Sequence, residues 1–431
     1  MKNYQTIAVE GSQFGDEGKG KLTDYLAQKA DMVVRYQGGN NAGHSVEING
    51  VKHALRSLPS GIFNPKVMNV IANGVVCNPF ALLDELDENI KGGLKEFHLA
   101  ISNRCHLILP CHLALDGAYE EQLGDKLIGT TKRGIGPCYA DKAKRIGLRM
   151  GDLLDLDYLK ERLHNLITID NIELKALNKD PIDEGNLYKQ LLVARERLLP
   201  FICDTALLIN DYISSGKKVV FEGAQGSLLD LDHGTYPYVT SSSPTSISIP
   251  VNAGVAPYKI NRVLAIMKAY MTRVGEGPMP SEQNNAWGDA IREKGHEYGV
   301  VTHRPRRVGY LDLVLLGYTA LVSGVTDIAV TLFDVLMGVP DLKICIAYNL
   351  DGKEIRYVPS NEREYARCVP IYKEFKTIPE FDTKKIHSFE DLPKEAQDYL
   401  NYIKDYLKAD ISIIGLGPDR EETGVLKPFF E

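Results

Sequence analysis

Three absences narrow what this chain can be. It has no apolar run long enough to span a bilayer; the best, Leu313–Leu316, is closed off by Asp312 and Gly317, far short of the roughly 20 residues required. It has no Cys-x-x-Cys pair. The seven cysteines, Cys77, Cys105, Cys111, Cys138, Cys203, Cys345 and Cys368, are odd in number and dispersed, which argues for reduced thiols and against a disulfide frame or a zinc site. It also has no basic excess. With 50 Lys+Arg against 57 Asp+Glu, net charge −7 and pI near 5.9, a broad nucleic-acid footprint is excluded, and an anionic ligand must be held by local basic residues. The ends, Met1-Lys2-Asn3-Tyr4 and Phe429-Phe430-Glu431, carry no leader, lipidation box or retention tail. The expectation is a soluble cytoplasmic protein with no role at membranes or on nucleic acid.

What is present is an ordinary globular composition, 44% hydrophobic and 25% charged over 431 residues, enough for a large core. The stretch around which the chain is organised is Gly11-Ser12-Gln13-Phe14-Gly15-Asp16-Glu17-Gly18-Lys19-Gly20-Lys21. It follows the apolar run Thr6–Val9 and precedes an amphipathic segment, Leu22–Ala30, in the order strand, Gly-rich loop, helix. That order cradles phosphate: glycines admit the ligand, helix N-terminal amides point at it, and a lysine adds compact charge. The spacing is not that of the standard phosphate loop, since Gly11 and Gly18 enclose six residues and Gly20 stands where Ser or Thr would bind magnesium. Asp16 and Glu17 also put acids where anions should dock. A carboxylate belongs there if it holds a metal or takes a proton from a substrate.

A second strand, Asp31–Tyr36, runs into another Gly-rich turn, Gln37–Ser45, and two such turns after strands can face one crevice. His44 within it suits proton donation near neutrality. Further strands are expected at Val67–Ala72, Phe97–Ile101, Leu107–Leu109, Lys218–Phe221, Thr326–Asp334, Leu342–Tyr348 and Ile411–Ile414, and Ile260–Tyr270 is an apolar run leading to a turn. Helices are expected at Phe80–Glu88, over the Leu-, Lys- and Glu-rich segment 153–215, and at Glu395–Lys408. Strands alternating with helices predict an α/β fold with a large, mostly parallel central sheet flanked by helices.

Three other segments carry chemistry. Ile128–Pro137 reads as a long polar, Gly-rich binding loop. Glu222–Gly226 with Leu228–Ser241 places hydroxyls and amides after a strand, where Gln225 can read a purine edge by donating and accepting at once. Asp230, Asp232 and His233 have metal-like spacing, though nothing else there asks for a metal. Val300–Arg307 (Val-Val-Thr-His-Arg-Pro-Arg-Arg) sets three arginines in four positions, a fork suited to carboxylates and phosphates.

The opening loop, Gln37–His44 and these later segments closely resemble the adenylosuccinate synthetase family, almost end to end from Ile7 to Pro428. The resemblance implies one P-loop-NTPase-like domain over 1–431 with helical and loop insertions, the helical one at about 153–215. It implies a ligase that joins L-aspartate to IMP with GTP through a 6-phosphoryl intermediate, using one Mg2+ held by Asp16 and the Gly43 carbonyl. Asp16 would be the base and His44 the proton donor. IMP would meet Asp16, Glu17, Gly18, Lys19, Asn41, Ala42, Gly43, His44, Thr131, Gln225, Thr240 and Arg304, with Arg145 reaching the neighbour's site in a homodimer. GTP would meet Gly15–Lys21 (through Asp16, Glu17, Gly18, Lys19 and Gly20), Gly43, His44, Ser45, Arg306, Leu332, Phe333, Asp334, Gly415, Leu416 and Gly417. Aspartate would meet Val300, Val301, Thr302, His303, Arg304, Pro305 and Arg306. The chain departs from the family at Val301 and His303, at Leu332, where lysine is usual, and at Leu416, where a hydroxyl is usual. ATP as donor, a different purine substrate, and a GTP-binding module without ligase activity are the alternatives.

Overall fold

The computed structural model describes residues 5–41, 43–48, 51–124, 129–299, 304–417, 423–427 and 429–430, with the backbone alone at 44–48, 51, 52 and 423. The strands are β1 (Thr6–Gly11), β2 (Met32–Arg35), β3 (His44–Ile48), β4 (Val51–Leu55), β5 (Met68–Ile71), β6 (Val76–Cys77), β7 (His98–Ser102), β8 (His106–Leu107), β9 (Ile202–Cys203) and β10 (Val219–Gly226). Then come β11 (Arg262–Lys268), β12 (Met271–Arg273), β13 (Arg307–Gly309), β14 (Leu311–Asp312), β15 (Asp327–Thr331), β16 (Lys343–Leu350), β17 (Lys353–Ile355), β18 (Val369–Glu374), β19 (Asp410–Gly415) and β20 (Thr423–Val425). The helices are α1 (Lys19–Ala27), α2 (Pro79–Lys91), α3 (Pro110–Leu123), α4 (Ile135–Lys144), α5 (Leu156–Ala176), α6 (Glu184–Leu198), α7 (Thr205–Ser214), α8 (Ile249–Ala253), α9 (Ala286–Lys294), α10 (Leu313–Ser323), α11 (Glu362–Tyr365) and α12 (Lys394–Leu407).

Ten strands form the central sheet in the order β20-β19-β15-β11-β1-β10-β2-β5-β7-β9. Every pairing is parallel except the edge pair β19–β20. Burial explains the sequence pattern: β1, β2, β11 and β15 are buried at every residue, as strands covered on both faces must be, so they read as continuous apolar runs. Helix starts follow local chemistry. Asn78 accepts from the amides of Phe80 and Ala81 ahead of Pro79, and Asp155, Asp204 and Asp312 cap α5, α7 and α10 in the same way. On α12, Ala396, Tyr399, Leu400 and Ile403 are buried, the i, i+3, i+4, i+7 stripe of a half-covered helix.

The adjacent parallel strands β11 and β15 are stitched below the site by a buried ion pair. Arg262 on β11 donates from Nε to Asp327 Oδ2 at 2.8 Å and from a terminal nitrogen to the other oxygen. Thr326 and Ser412 hydroxyls add bonds to the same carboxylate at 2.7 and 2.6 Å. Burial opposes the Asp327 charge, and Arg262 with the two hydroxyls outweighs it, holding the carboxyl below the usual range.

Several boundaries differ from the sequence expectation. The helix after the first loop starts at Lys19, not Leu22, because the lysines and Gly20 belong to its first turn. The segment 153–215 is not all helix: Ile202–Cys203 pairs with β7 and closes the sheet edge. A two-residue strand is too short to leave a periodic signal. Strand β10 continues through Glu222 to Gly226, whereas the strand before Asp334 ends at Thr331 and Asp334 opens a 3-10 turn. The polar loop before α4 ends at Gly134, since Ile135–Pro137 are already helical.

Candidate active site

The carboxyl ends of β1, β2, β10 and β11 open on one crevice, as the strand order predicts for a parallel sheet. The loop leaving β1 is folded by its own acid. Glu17 is fully buried, accepts from the amides of Gln13 and Gly15 at 3.1 and 2.9 Å, and pairs with Lys19 at 2.5 Å. Its carboxylate is therefore spent inside the loop, and the expectation that it faces a ligand is corrected: only the Glu17 backbone could. Gly226 at the end of β10 lies so close that a Cβ there would stand 2.1 Å from Gln13 O and 2.5 Å from Gly15 N, so only glycine lets the strand pass under the loop. Thr331 Oγ1 donates to the Glu17 carbonyl at 2.8 Å, tying the loop to β15. Asp16 and Gly18 stand at φ +61° and +79°. Asp16 is thereby turned outward, half exposed, while Glu17 is turned in.

A cavity of 740 Å³ lies in front of this loop. It brings together Gly15, Asp16, Gly18, Lys19, Gly20, Lys21, Asn41, Gly43, Thr131, Gln225, Thr240 and Arg306 from the sequence-expected set. Gln225 donates to Asn41 Oδ1 and accepts from Gln37 Nε2, at 3.1 and 3.2 Å, which aims both turns at one space. The lining also includes Arg35 and Asp116, which sequence reasoning did not single out, and Glu222 and Tyr238 from the segments expected to carry chemistry. Arg273, at the end of β12, lines the cavity as well. It lies over the Phe14 ring at 4.4 Å and bonds Thr235, Pro278 and Tyr238, and burial lowers its pKa to about 10. Beneath the loop, burial pushes Glu10 up to about 7 despite bonds from Ser246 and Ser227.

Arg145 is exposed at the left-handed end of α4 and is not part of the cavity wall. Arg304 and Pro305 are exposed. Ala42, Val300, Val301, Thr302 and His303 lie outside the described residues, as do the side chains of His44 and Ser45. The stem of the arginine loop is described. Arg306 N–H donates to the Glu297 carbonyl and Gly299 N–H to the Arg304 carbonyl, both at 2.9 Å. The Arg306 guanidinium is split between Glu297 Oε2 at 2.7 Å and Asp16 Oδ2 at 3.0 Å.

The segments expected to hold a base meet on the far flank of the loop. Phe333 N–H donates to the Gly415 carbonyl at 3.1 Å, and Lys21 Nζ to the Gly417 carbonyl at 3.1 Å. Two side chains there are corrected. Phe333 and Leu416 are buried in the large apolar core, Phe333 against Tyr399, so neither can cover a base and only their backbones could contribute. Leu332 is half buried at φ +53°.

The spacing Asp230, Asp232, His233 is no metal set. The Asp230 carboxylate accepts from the amides of Asp232 and His233 and from Thr245 Oγ1, at 2.9, 3.1 and 2.7 Å. Cys111, His112 and Asp170 do cluster, but both His112 nitrogens are engaged. Leu109 N–H donates to Nδ1, and Nε2 bonds Asp141 at 3.1 Å, so the ring has no lone pair for an ion. All seven cysteines are free, and no described helix is long and apolar enough to cross a membrane.

A parallel sheet with an anion-cradling loop at the end of its central strand, facing a wide polar cavity, defines a nucleotide-phosphate-binding α/β enzyme. The adenylosuccinate synthetase family profile matches residues 8–424. The adenylosuccinate synthetase of Limosilactobacillus fermentum is 48% identical over 98% of both chains. The fully ligated adenylosuccinate synthetase of Plasmodium falciparum superposes with a TM-score of 0.89 at 36% identity, over 98% of this chain and 100% of that one. A cyanophage S-2L succinoaminodeoxyadenylate synthetase bound to dGMP and dATP shares the fold alone, with a TM-score of 0.61 at 19% identity over 99% and 97%. The chain belongs to the adenylosuccinate synthetase family.

Proposed function

We propose that this ligase, which joins L-aspartate to IMP in forming a C–N bond, does so through Asp16 as general base and with GTP as phosphate donor. The observation that carries the reading is the placement of Asp16: turned out of the phosphate loop by its left-handed backbone, half exposed, and lining the same cavity as Asn41, Gln225 and Thr240. The carbonyl oxygen at C6 of a purine leaves poorly, so it must be activated. Asp16 removes the N1 proton, O6 attacks the γ-phosphorus as the β,γ-bridging P–O bond breaks and GDP leaves, and the amine of aspartate, losing a proton, displaces inorganic phosphate from C6. Lys19 and the loop amides at the start of α1 neutralise the transferring group. His44 is assigned proton donation from the family resemblance. Asp334 accepts from the guanine N–H donors in this reading, and the loop of 300–306 holds the aspartate carboxylates.

The donor set fits a hard divalent cation: an outward carboxylate on Asp16 and a Gly43 with nothing within 4 Å of its Cβ position, both on the cavity wall. Asp16 and the Gly43 carbonyl would hold Mg2+, which when bound neutralises phosphate charge. Arg145, exposed and off the cavity wall, supports a homodimer in which it serves the partner's site. The exposed cavity mouth and reduced thiols fit a cytoplasmic enzyme.

The test is product formation. Purified protein with IMP, aspartate and Mg2+ should form adenylosuccinate with GTP and, more slowly, with ATP, and Asp16→Asn should abolish turnover while binding IMP in calorimetry. Nucleotide hydrolysis independent of IMP and aspartate would refute the ligase reading, and an active Asp16→Asn would refute the base.

A further inference from the structure

Outside the phosphate loop, the deepest charged cluster at the site is the pair Lys268–Glu297. Its nitrogen and oxygen are 2.6 Å apart and each side chain is 1% exposed. Lys268 ends β11 and Glu297 begins the stem of the arginine loop. Tyr270 donates to the same Glu297 oxygen at 2.7 Å, and Lys268 also reaches Thr272 at 2.9 Å. A pair this deep that served only the core would point all its bonds inward. This one does not: the second Glu297 oxygen faces Arg306 at 2.7 Å, and the other arm of that guanidinium reaches Asp16 at 3.0 Å. Charges of alternating sign therefore run from β11 to the phosphate loop: Lys268, Glu297, Arg306, Asp16.

We propose that Glu297 is a positioning residue for Arg306, clamping one edge of the guanidinium so that the other is presented to Asp16 and the cavity. The backbone bond between Arg306 and Glu297 fixes where the arginine enters; the carboxylate fixes where its head group points. Among the described residues Arg306 Nε has no hydrogen-bond partner, and the two carboxylates orient the guanidinium. Asp16 is half exposed and, in the proposed reaction, must turn to substrate. Glu297 is then the fixed post, and Lys268 keeps that post charged. Burial opposes the charge on Glu297, while Lys268, Tyr270 and Arg306 hold its carboxyl below the usual range. A pre-set fork binds carboxylate or phosphate without first losing its own rotational freedom.

The inference rests on the ligase reading above, and a double-mutant cycle separates the two. Adenylosuccinate formation by the unaltered protein, and its lowering to a measurable residual rate in Arg306→Leu, establish the reading by themselves. Glu297→Gln should lower kcat/KM for aspartate by about tenfold to a hundredfold when Arg306 is present. In the Arg306→Leu background it should change the remaining rate less than about twofold, because a residue acting through another has nothing left to act on. Equal losses in both backgrounds, or no loss in the first, overturn the proposal. If Glu297→Gln alone does not fold, Lys268→Met with Glu297→Gln removes both buried charges and should show the same dependence on Arg306. A folded double variant with unaltered kcat/KM overturns it as well.

Discussion

Replacing Asp327 by asparagine should weaken the scaffold without touching the chemistry. The substitution keeps shape and leaves the Arg262 guanidinium buried without its counter-charge; the two side chains are 4% and 3% exposed. Breaking a buried pair on one side costs about 3–5 kcal/mol, and the retained amide oxygen puts Asp327→Asn near the lower end, about 3 kcal/mol. Unfolding entropy of about 2.1 cal/mol/K per residue over 431 residues converts that into a fall in Tm of about 3 °C, read by calorimetry. The pair sits at the start of β15, at the opposite end of the strand from Thr331 and the site, so kcat and KM well below Tm should not move. The pH dependence has a definite sign. The folded-state carboxyl is held below its unfolded value, so its contribution is present above about pH 4 and is lost as pH falls through the lower folded value. Asp327→Asn should therefore remove part of the acid destabilisation of the parent. Asp327→Leu with Arg262→Met should recover most of the lost stability. A Tm unchanged within 1 °C, or a changed kcat at 25 °C, would refute this division between scaffold and site.

Thr331→Val removes the hydroxyl that holds the Glu17 carbonyl. The loss of about 1 kcal/mol should appear as a several-fold rise in KM for the nucleotide, measured by phosphate release, with Tm lowered little. Asp170 is buried and its pKa is raised to about 6, first by burial and then by Asp141. A raised acid costs stability once ionised, so Asp170→Asn should stabilise the protein above pH 6 by up to about 3 kcal/mol. Below pH 4 it should give no gain in denaturant melts. Leu332→Lys restores the residue usual in the family at this position. The ratio of kcat/KM for GTP over ATP should rise, and an unchanged ratio would leave Leu332 outside base recognition.

Much of the fold was legible because parallel strands buried on both faces write themselves as apolar runs. β1, β2, β5, β10, β11, β15 and β19 all stand where those runs lie. β9 was not, because two residues carry no period. The phosphate loop was legible as a loop, but its two acids read alike in sequence. Only the backbone distinguishes them, since positive φ at Asp16 and Gly18 turns neighbouring side chains to opposite sides. Phe333 and Leu416 misled for a related reason: a motif gives a position along the chain, and burial decides which way the side chain points. Glu297 and Lys268 left no local signal, because their meaning lies in a contact 29 residues apart.

The pairing of Lys19 with Glu17 bears on how the site selects its guests. A phosphate that engages Lys19 does not meet a bare charge; it competes with a carboxylate already in place. The net electrostatic return is the difference between two similar attractions, so charge alone separates one phosphate from a chain of them only weakly. Discrimination passes to the loop amides and their spacing. The enzyme should then tell phosphate esters apart by shape, and tolerate changes in ionic strength better than a site built from unpaired cations.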